Sequence, residues 1–387
     1  MPPSLPPLIK PWWHRACLLG LSLSKRRTTD TPVTMKILLV THSYGLNGAA
    51  ILLRDSAQHW VQQKGWQVDA LMSDEELATH GEALIAMGIT PKTTVNGQPN
   101  EYDVALVNTL IDIEFVAKLS PSMPVVLWVH EGNTLLFNWN IGLSTLVRGF
   151  AQCSRIIFQT TWQSEHVFKS FIDHLPAQRI QHVPSGVMTG GVAHKQTHAV
   201  NGPIKLITVG TVYPRKRQMD LIQAVDKLAQ KYPIECHVLG DFSQANDWLP
   251  RIHDDLKNPD APIKWHGGIQ EREKINALLL NADIACFPSG DESHPLALLE
   301  AGLCALPLVI SDLPPYSHIG WTNAKNCLMH PVGEVAQLEN QLERLISDAG
   351  LRARLGNNAR TMVLNKYSKP KFFENMDKVM APFEKKK

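Results

Sequence analysis

From Met35 onward, short apolar runs alternate with longer segments whose apolar positions recur at helical spacing. The runs Lys36–Thr41, Gln67–Met72, Asp103–Asn108, Pro124–Val129, Arg155–Gln159 and Ile180–Val183 fill the first half. Ile204–Gly210, Glu235–Gly240, Ile263–His266, Asp283–Phe287, Leu306–Ile310 and Asn326–Met329 fill the second. Many of them lack polar alternation, which is the pattern of parallel strands covered on both faces. Strand–helix alternation of this kind predicts doubly wound sheets. The stretch Met188–Gly202 has the Gly, His, Thr and Asn of a linker and divides the chain. The expected fold class is α/β, with two Rossmann-like doubly wound parallel-sheet domains facing a cleft. The first begins at residue 35 and runs to 190, and the second covers 203–366. In such sheets ligands bind beyond the carboxyl ends of the strands, so the chemistry is sought there.

The chain has 387 residues, 44% hydrophobic and 19% charged, which suits a folded protein of two domains at about 150 residues each. With 38 Lys and Arg against 36 Asp and Glu, the net charge of +2 gives no electrostatic footprint for nucleic acid. No apolar run approaches the ~20 residues that span a bilayer; Cys17–Leu23 is far shorter. Six cysteines include no C-x-x-C pair, so they read as reduced, buried thiols of a cytoplasmic protein. Residues 1–34 are Pro-rich, and their basic cluster Lys25-Arg26-Arg27 follows the apolar stretch instead of preceding it as in a signal peptide. They are expected to be a disordered extension, with Met35 as an alternative start. Trp12, Trp13 and that basic cluster also suit a membrane-surface arm.

Three stretches at predicted strand ends carry candidate chemistry. After the first strand, Gly45 and Gly48 let the backbone turn and approach a ligand before a helix whose first amides favour an anion. Neither G-x-G-x-x-G nor G-x-x-x-x-G-K-[ST] occurs. After the first strand of the second domain comes Gly210-Thr211-Val212-Tyr213-Pro214-Arg215-Lys216-Arg217, whose cations suit a phosphate or diphosphate or simply a solvated turn. The richest stretch is Phe287–Gly302. A Pro-Ser-Gly loop leads through Glu292, Ser293 and His294 into a helix with Pro295 at its start and Glu300 inside it. The amides near Leu296 suit a diphosphate. His42 reads either as a turn residue held by a hydrogen bond or as a site residue, and Glu131 more readily as a helix cap than as a ligand.

The spacing Glu292-x7-Glu300, with Leu298-Leu299-Glu300-Ala301 after it, resembles the E-x7-E signature of glycosyltransferase family 4, the retaining GT-B enzymes. Gly210…Pro214-Arg215-Lys216 is similar to that family's donor-diphosphate turn, and Gly45…Gly48-Ala49 to its N-terminal glycine loop. Trp128-Val129-His130-Glu131 and Pro184-Ser185-Gly186-Val187 resemble two further elements, all in the family's order between Met35 and Lys366. The resemblance implies that Lys216, Arg215 and the Leu296 amide grip the diphosphate, with Gly210 and Gly48 giving it room. It further implies that Glu300 meets the ribose, that Glu292 and His130 stand by the transferring sugar, and that His266–Ile269 meets the base. His294, in a segment where the family has Gly-Phe-Gly, touches the sugar in this reading. Thr211 stands where many members carry Arg, and Ser185 where Asn is usual. The tail 367–387 is expected to cross back onto the first domain.

Breaking the anomeric C–O bond puts negative charge on the leaving diphosphate, which Lys216, Arg215 and the helix amides would stabilise. The sequence contains no Asp-x-Asp, so no metal ligands and no cofactor are expected. Retention leaves open a covalent intermediate or same-face attack, the latter with the leaving phosphate as base. The expected partners are a nucleotide-sugar donor and a glycan or lipid-linked acceptor, with no nucleic acid. The terminal Lys385-Lys386-Lys387 suggests peripheral membrane contact. Rival readings are a dinucleotide dehydrogenase, a non-catalytic sugar-nucleotide-binding partner subunit, and a sugar-nucleotide epimerase or phosphorylase of the same build.

Overall fold

A computed structural model describes residues 35–45, 47–95, 101–133, 141–189, 193–196, 199–200, 202–242, 245–269 and 271–384. The extension 1–34, with Trp12, Trp13 and the basic cluster, and the terminal three lysines lie outside them. Among the described residues no helix is long and apolar enough to cross a membrane.

Two all-parallel sheets organise the chain. The first contains β1 (Lys36–Val40), β2 (Gln67–Leu71), β3 (Thr90–Lys92), β4 (Val104–Asn108), β5 (Val125–Val129), β6 (Arg155–Phe158) and β7 (Ile180–His182), in the order β3-β2-β1-β4-β5-β6-β7. The second contains β8 (Ile204–Val209), β9 (Ile234–Leu239), β10 (Ile263–Gly267), β11 (Ile284–Phe287), β12 (Leu308–Ser311) and β13 (Leu328–His330), in the order β10-β9-β8-β11-β12-β13. Each order reverses beside its first strand, between β1 and β4 and between β8 and β11. These are the two switch points where a crevice opens. The central strands β4 and β5 are buried along their whole length, as the unbroken apolar runs require.

The strands lie where the sequence places them, within two residues at each end. The largest shifts are at β12, which begins at Leu308 and not Leu306, and at β13, which begins at Leu328 and not Asn326. Leu306 is fully buried, but it closes the preceding helix: its amide bonds the Ala301 carbonyl, and Ala305 sits at φ 61°. The short edge strand β3, with Pro91 at its centre, has no counterpart in the apolar pattern.

The two lobes share the C-terminal segment. The helix Ala349–Lys366 packs Ala359 and Val363 into the second lobe. Ser368 then pairs with Val187, and the helix Lys369–Met380 buries Phe372, Met376, Val379 and Met380 in the first lobe's core. Asp377 accepts a hydrogen bond from Trp60 Nε1 at 3.1 Å, and Lys369 pairs with Asp55 at 2.6 Å. The crossing requires Gly186, because a Cβ there would lie 2.5 Å from Phe372 Cβ and 3.1 Å from the Ser368 carbonyl oxygen. Cys153, Cys236, Cys286, Cys304 and Cys327 are free and buried.

Candidate active site

The second-lobe site is built on the switch point between β8 and β11. Gly210 leaves β8 at φ 145°, a conformation that side chains resist. Gln218 holds the turn that follows, donating from Nε2 to the carbonyls of Gly210 (3.2 Å) and Thr211 (2.9 Å). Pro214 opens a single 3-10 turn, Pro214–Lys216, and Arg217 in the left-handed region at φ 51° starts the next helix. Lys216 is thereby folded back over Gly210, where a Cβ would stand 3.7 Å from its Cε.

Lys216 and Arg215 both reach the loop after β11. Lys216 Nζ lies 2.5 Å from Glu292 and Arg215 lies 3.1 Å from it. Ser289 Oγ donates to the same carboxylate at 2.9 Å, and Arg215 also donates to the Asp291 carbonyl at 2.5 Å. Burial raises the Glu292 carboxyl, but the two cations and the hydrogen bonds outweigh it and hold it at about 2. Arg215 stays firmly charged: burial opposes its charge, and Glu292 more than offsets that.

The helix Leu296–Leu303 follows. Pro295 is its N-cap and supplies no side-chain bond, so its leading amides are not capped by a side chain. Leu296 packs against the cores of both lobes, and a Cβ on Gly48 would lie 3.7 Å from its Cδ1. One turn further, Glu300 pairs with Arg272 from the helix Arg272–Asn281. Burial raises the Glu300 carboxyl despite Arg272, and Lys369 and Asp55 act on it across the cleft.

The Glu292 loop is also docked onto the first lobe. Ser293 Oγ lies 2.7 Å from the His130 carbonyl and 2.8 Å from Gln159 Oε1. His294 Nδ1 accepts from the Ser185 amide at 3.2 Å, and Gln159 Nε2 donates to Ser185 Oγ at 2.8 Å. A Cβ on Gly132 would fall 2.7 Å from the Asp291 carboxylate, so that side chain lies directly against the Gly132 backbone. His294 and His130 are each lowered to about 3 by burial and are therefore neutral. The His130 ring is held by Asn108 Oδ1 at 2.8 Å, with Nε2 as the donor.

Of the residues singled out from the sequence, several meet around the loop after β11, while Glu300 pairs separately with Arg272 and His42 with Asp112. Lys216, Arg215 and Glu292 form one cluster, Gly48 meets Leu296, and His130 and His294 sit on opposite sides of the same interlobe contact. Glu131 takes the capping role, accepting from the amide of Leu110 at 2.9 Å, which opens the short helix Leu110–Asp112. Arg272, Asp112, Asn108 and Gln159 were not legible: each meets its partner across at least 20 residues of chain, and none sits in a motif.

Together the two facing switch-point lobes and the return helix define a GT-B architecture. Residues 192–362, which span the second lobe, match the family described as glycosyl transferases group 1. Among solved structures, Anabaena HepE in complex with UDP superposes with a TM-score of 0.73 at 19% identity, covering 90% of this chain and 100% of that one. Sucrose-phosphate synthase from Thermosynechococcus elongatus gives 0.68 at 15% identity, over 90% and 98% of the two chains. Glycogen synthase of Mycobacterium tuberculosis is 30% identical over 112 residues, 29% of this chain; the match spans only 27% of that relative's length.

Proposed function

We propose that the protein is a retaining, metal-independent glycosyltransferase that moves a sugar from a nucleotide sugar to an acceptor hydroxyl of a glycan or glycolipid. The carrying observation is the convergence of Lys216 and Arg215 on the loop that opens the helix Leu296–Leu303. Two fixed cations and uncapped helix amides in a half-buried crevice are suited to the charge that develops on a departing diphosphate. Their Glu292 counter-ion marks where the anion would compete. Glu300, one helical turn deeper and partly desolvated, suits ribose hydroxyls that donate to it. Glu292 and His130 would border the transferring sugar, and His294 would shape its pocket. Lys216 and Arg215 supply the electrostatic work that a divalent ion would otherwise perform.

The relatives support a UDP-sugar donor, since HepE structures hold UDP and UDP-glucose. The test is nucleotide release from UDP-glucose, UDP-galactose, UDP-N-acetylglucosamine and GDP-mannose, with and without EDTA. Release that survives EDTA and falls at least about 100-fold in Lys216→Ala supports the reading. Release that EDTA abolishes, or that Lys216→Ala leaves intact, contradicts it. UDP binding with no release from any donor would make the chain a sugar-nucleotide-binding subunit.

A further inference from the structure

Where the chain crosses from the second lobe back to the first, it leaves a cavity of about 310 Å³ that none of Lys216, Arg215 and Glu292 lines. That volume is at the lower end for small-molecule sites. The walls come from three stretches: Pro184 and Ser185 after β7, the connection Lys366–Ser368, and the first turns of the return helix as far as Asn375. One side is apolar, made by Pro184, Tyr367 and Phe372. The Tyr367 hydroxyl is committed to the Ile319 carbonyl at 2.5 Å, so this residue offers its ring.

The other side is cationic. Lys366 and Lys371 both line the cavity, and no carboxylate does. Among the described residues neither ammonium makes a hydrogen bond or an ion pair. Lys371 acts on Glu374, but that acid is paired with Lys378 at 2.6 Å and does not line the cavity. Lys366 is seated rather than loose: Gly320, at φ 96°, leaves the space for it, and a Cβ there would lie 2.8 Å from Lys366 Nζ. Ser368 is the N-cap of the helix Lys369–Met380, yet its side chain makes no capping bond. An uncommitted hydroxyl therefore stands on the cavity wall at the positive end of a 12-residue helix. Asn375 adds a side-chain amide that can donate.

Unpaired cations beside an apolar wall suit an anion that carries an apolar body. Two ammoniums match the nearly double charge of a phosphate monoester better than the single charge of a carboxylate. We propose that this cavity binds a small organic monophosphate, with its phosphate on Lys366 and Lys371 and its body against Pro184 and the Tyr367 ring.

The cavity abuts the interlobe contact. Ser185 donates its amide to His294 Nδ1 at 3.2 Å and its hydroxyl to the His294 carbonyl at 3.3 Å. The Tyr367 ring stands edge-on to the His294 ring, with centroids 4.6 Å apart. A body seated against Ser185 and Tyr367 would thus brace the two residues that hold His294. Such a site would exist whatever the crevice catalyses, because Lys216, Arg215 and Glu300 take no part in it.

The experiment is calorimetric titration of the full chain in low salt with phenyl phosphate as the probe and inorganic phosphate beside it. Phosphate could also settle on Lys216 and Arg215, so Lys216→Ala is titrated in parallel. Phenyl phosphate should bind the wild type and Lys216→Ala alike, and at least about tenfold more tightly than inorganic phosphate. The double variant Lys366→Ala/Lys371→Ala should bind it at least about tenfold more weakly, and added salt should narrow that difference. Unchanged affinity in the double variant overturns the assignment. So does a loss in Lys216→Ala, or a wild type that binds no phenyl phosphate at about 10 mM. Equal affinity for the two probes overturns the role of the apolar wall. Should the double variant fail to fold, Lys371→Glu at its exposed position decides: unchanged affinity overturns the site, and a loss of at least about tenfold supports it.

Discussion

Glu292→Gln separates the two jobs of the anion cluster. The carboxylate sits 2.5 Å from Lys216 and 3.1 Å from Arg215, with little solvent around it. Its carboxyl is held at about 2 against an ordinary 4.5. At about 1.36 kcal/mol per pH unit, that difference is worth about 3 kcal/mol of stability at neutral pH. For a depressed acid the contribution is complete above pH 4.5 and drains away as pH falls through about 2. The variant should therefore be less stable than the wild type by about 3 kcal/mol at pH 7, and the gap should close towards pH 2. Anion binding should move the other way. Removing a negative charge about 6 Å from a phosphate, at an effective dielectric of about 20, is worth about 3 kcal/mol before salt screening. UDP should then bind at least about tenfold more tightly in low salt, and the gain should shrink as salt is added. Denaturant unfolding across pH and calorimetric titration with UDP read both effects. Equal stability at pH 7 would refute the ion-pair arithmetic. UDP affinity unchanged or weakened would refute the placement of the diphosphate beside these cations.

Three further outcomes follow from the packing. Gly186→Ala places a Cβ 2.5 Å from Phe372 Cβ and should cost about 1–3 kcal/mol in urea unfolding, since backbone on both sides must shift. Phe372→Ala empties a fully buried site in the first lobe although it lies near the C-terminus. It should cost about 3–5 kcal/mol, and limited proteolysis should then release the terminal helix first. Ser293→Ala deletes the hydroxyl that spans His130 and Gln159. The lobes should separate more readily, seen as a larger radius of gyration in small-angle scattering that UDP reverses, and an unchanged radius would count against that docking role.

The architecture was legible because parallel strands buried on both faces leave apolar runs that need no partner to be read. β4 and β5 are examples. Thr90–Lys92 escaped because an edge strand of three residues around Pro91 buries too little to leave a pattern. In the crevice, the cations of Arg215 and Lys216 and the paired glutamates were visible as local motifs. Their partner within the protein was not: the contact of Glu292 with Lys216 joins residues 76 positions apart. The pairing of Glu300 with Arg272 and of His42 with Asp112 is likewise set by which strand ends become neighbours, which no short window contains. Ser293 and His294 fall in no pattern that a short window of sequence explains. Their meaning emerged only when the first lobe was seen bonded to both.

The most direct measurement is a crystal structure with UDP bound. The account predicts phosphate oxygens within about 2.7–3.2 Å of Lys216 Nζ, the Arg215 guanidinium and the Leu296 amide, with ribose hydroxyls on Glu300. UDP held elsewhere, or seated in the crevice while Lys216 stays on Glu292 and touches no phosphate, would contradict it.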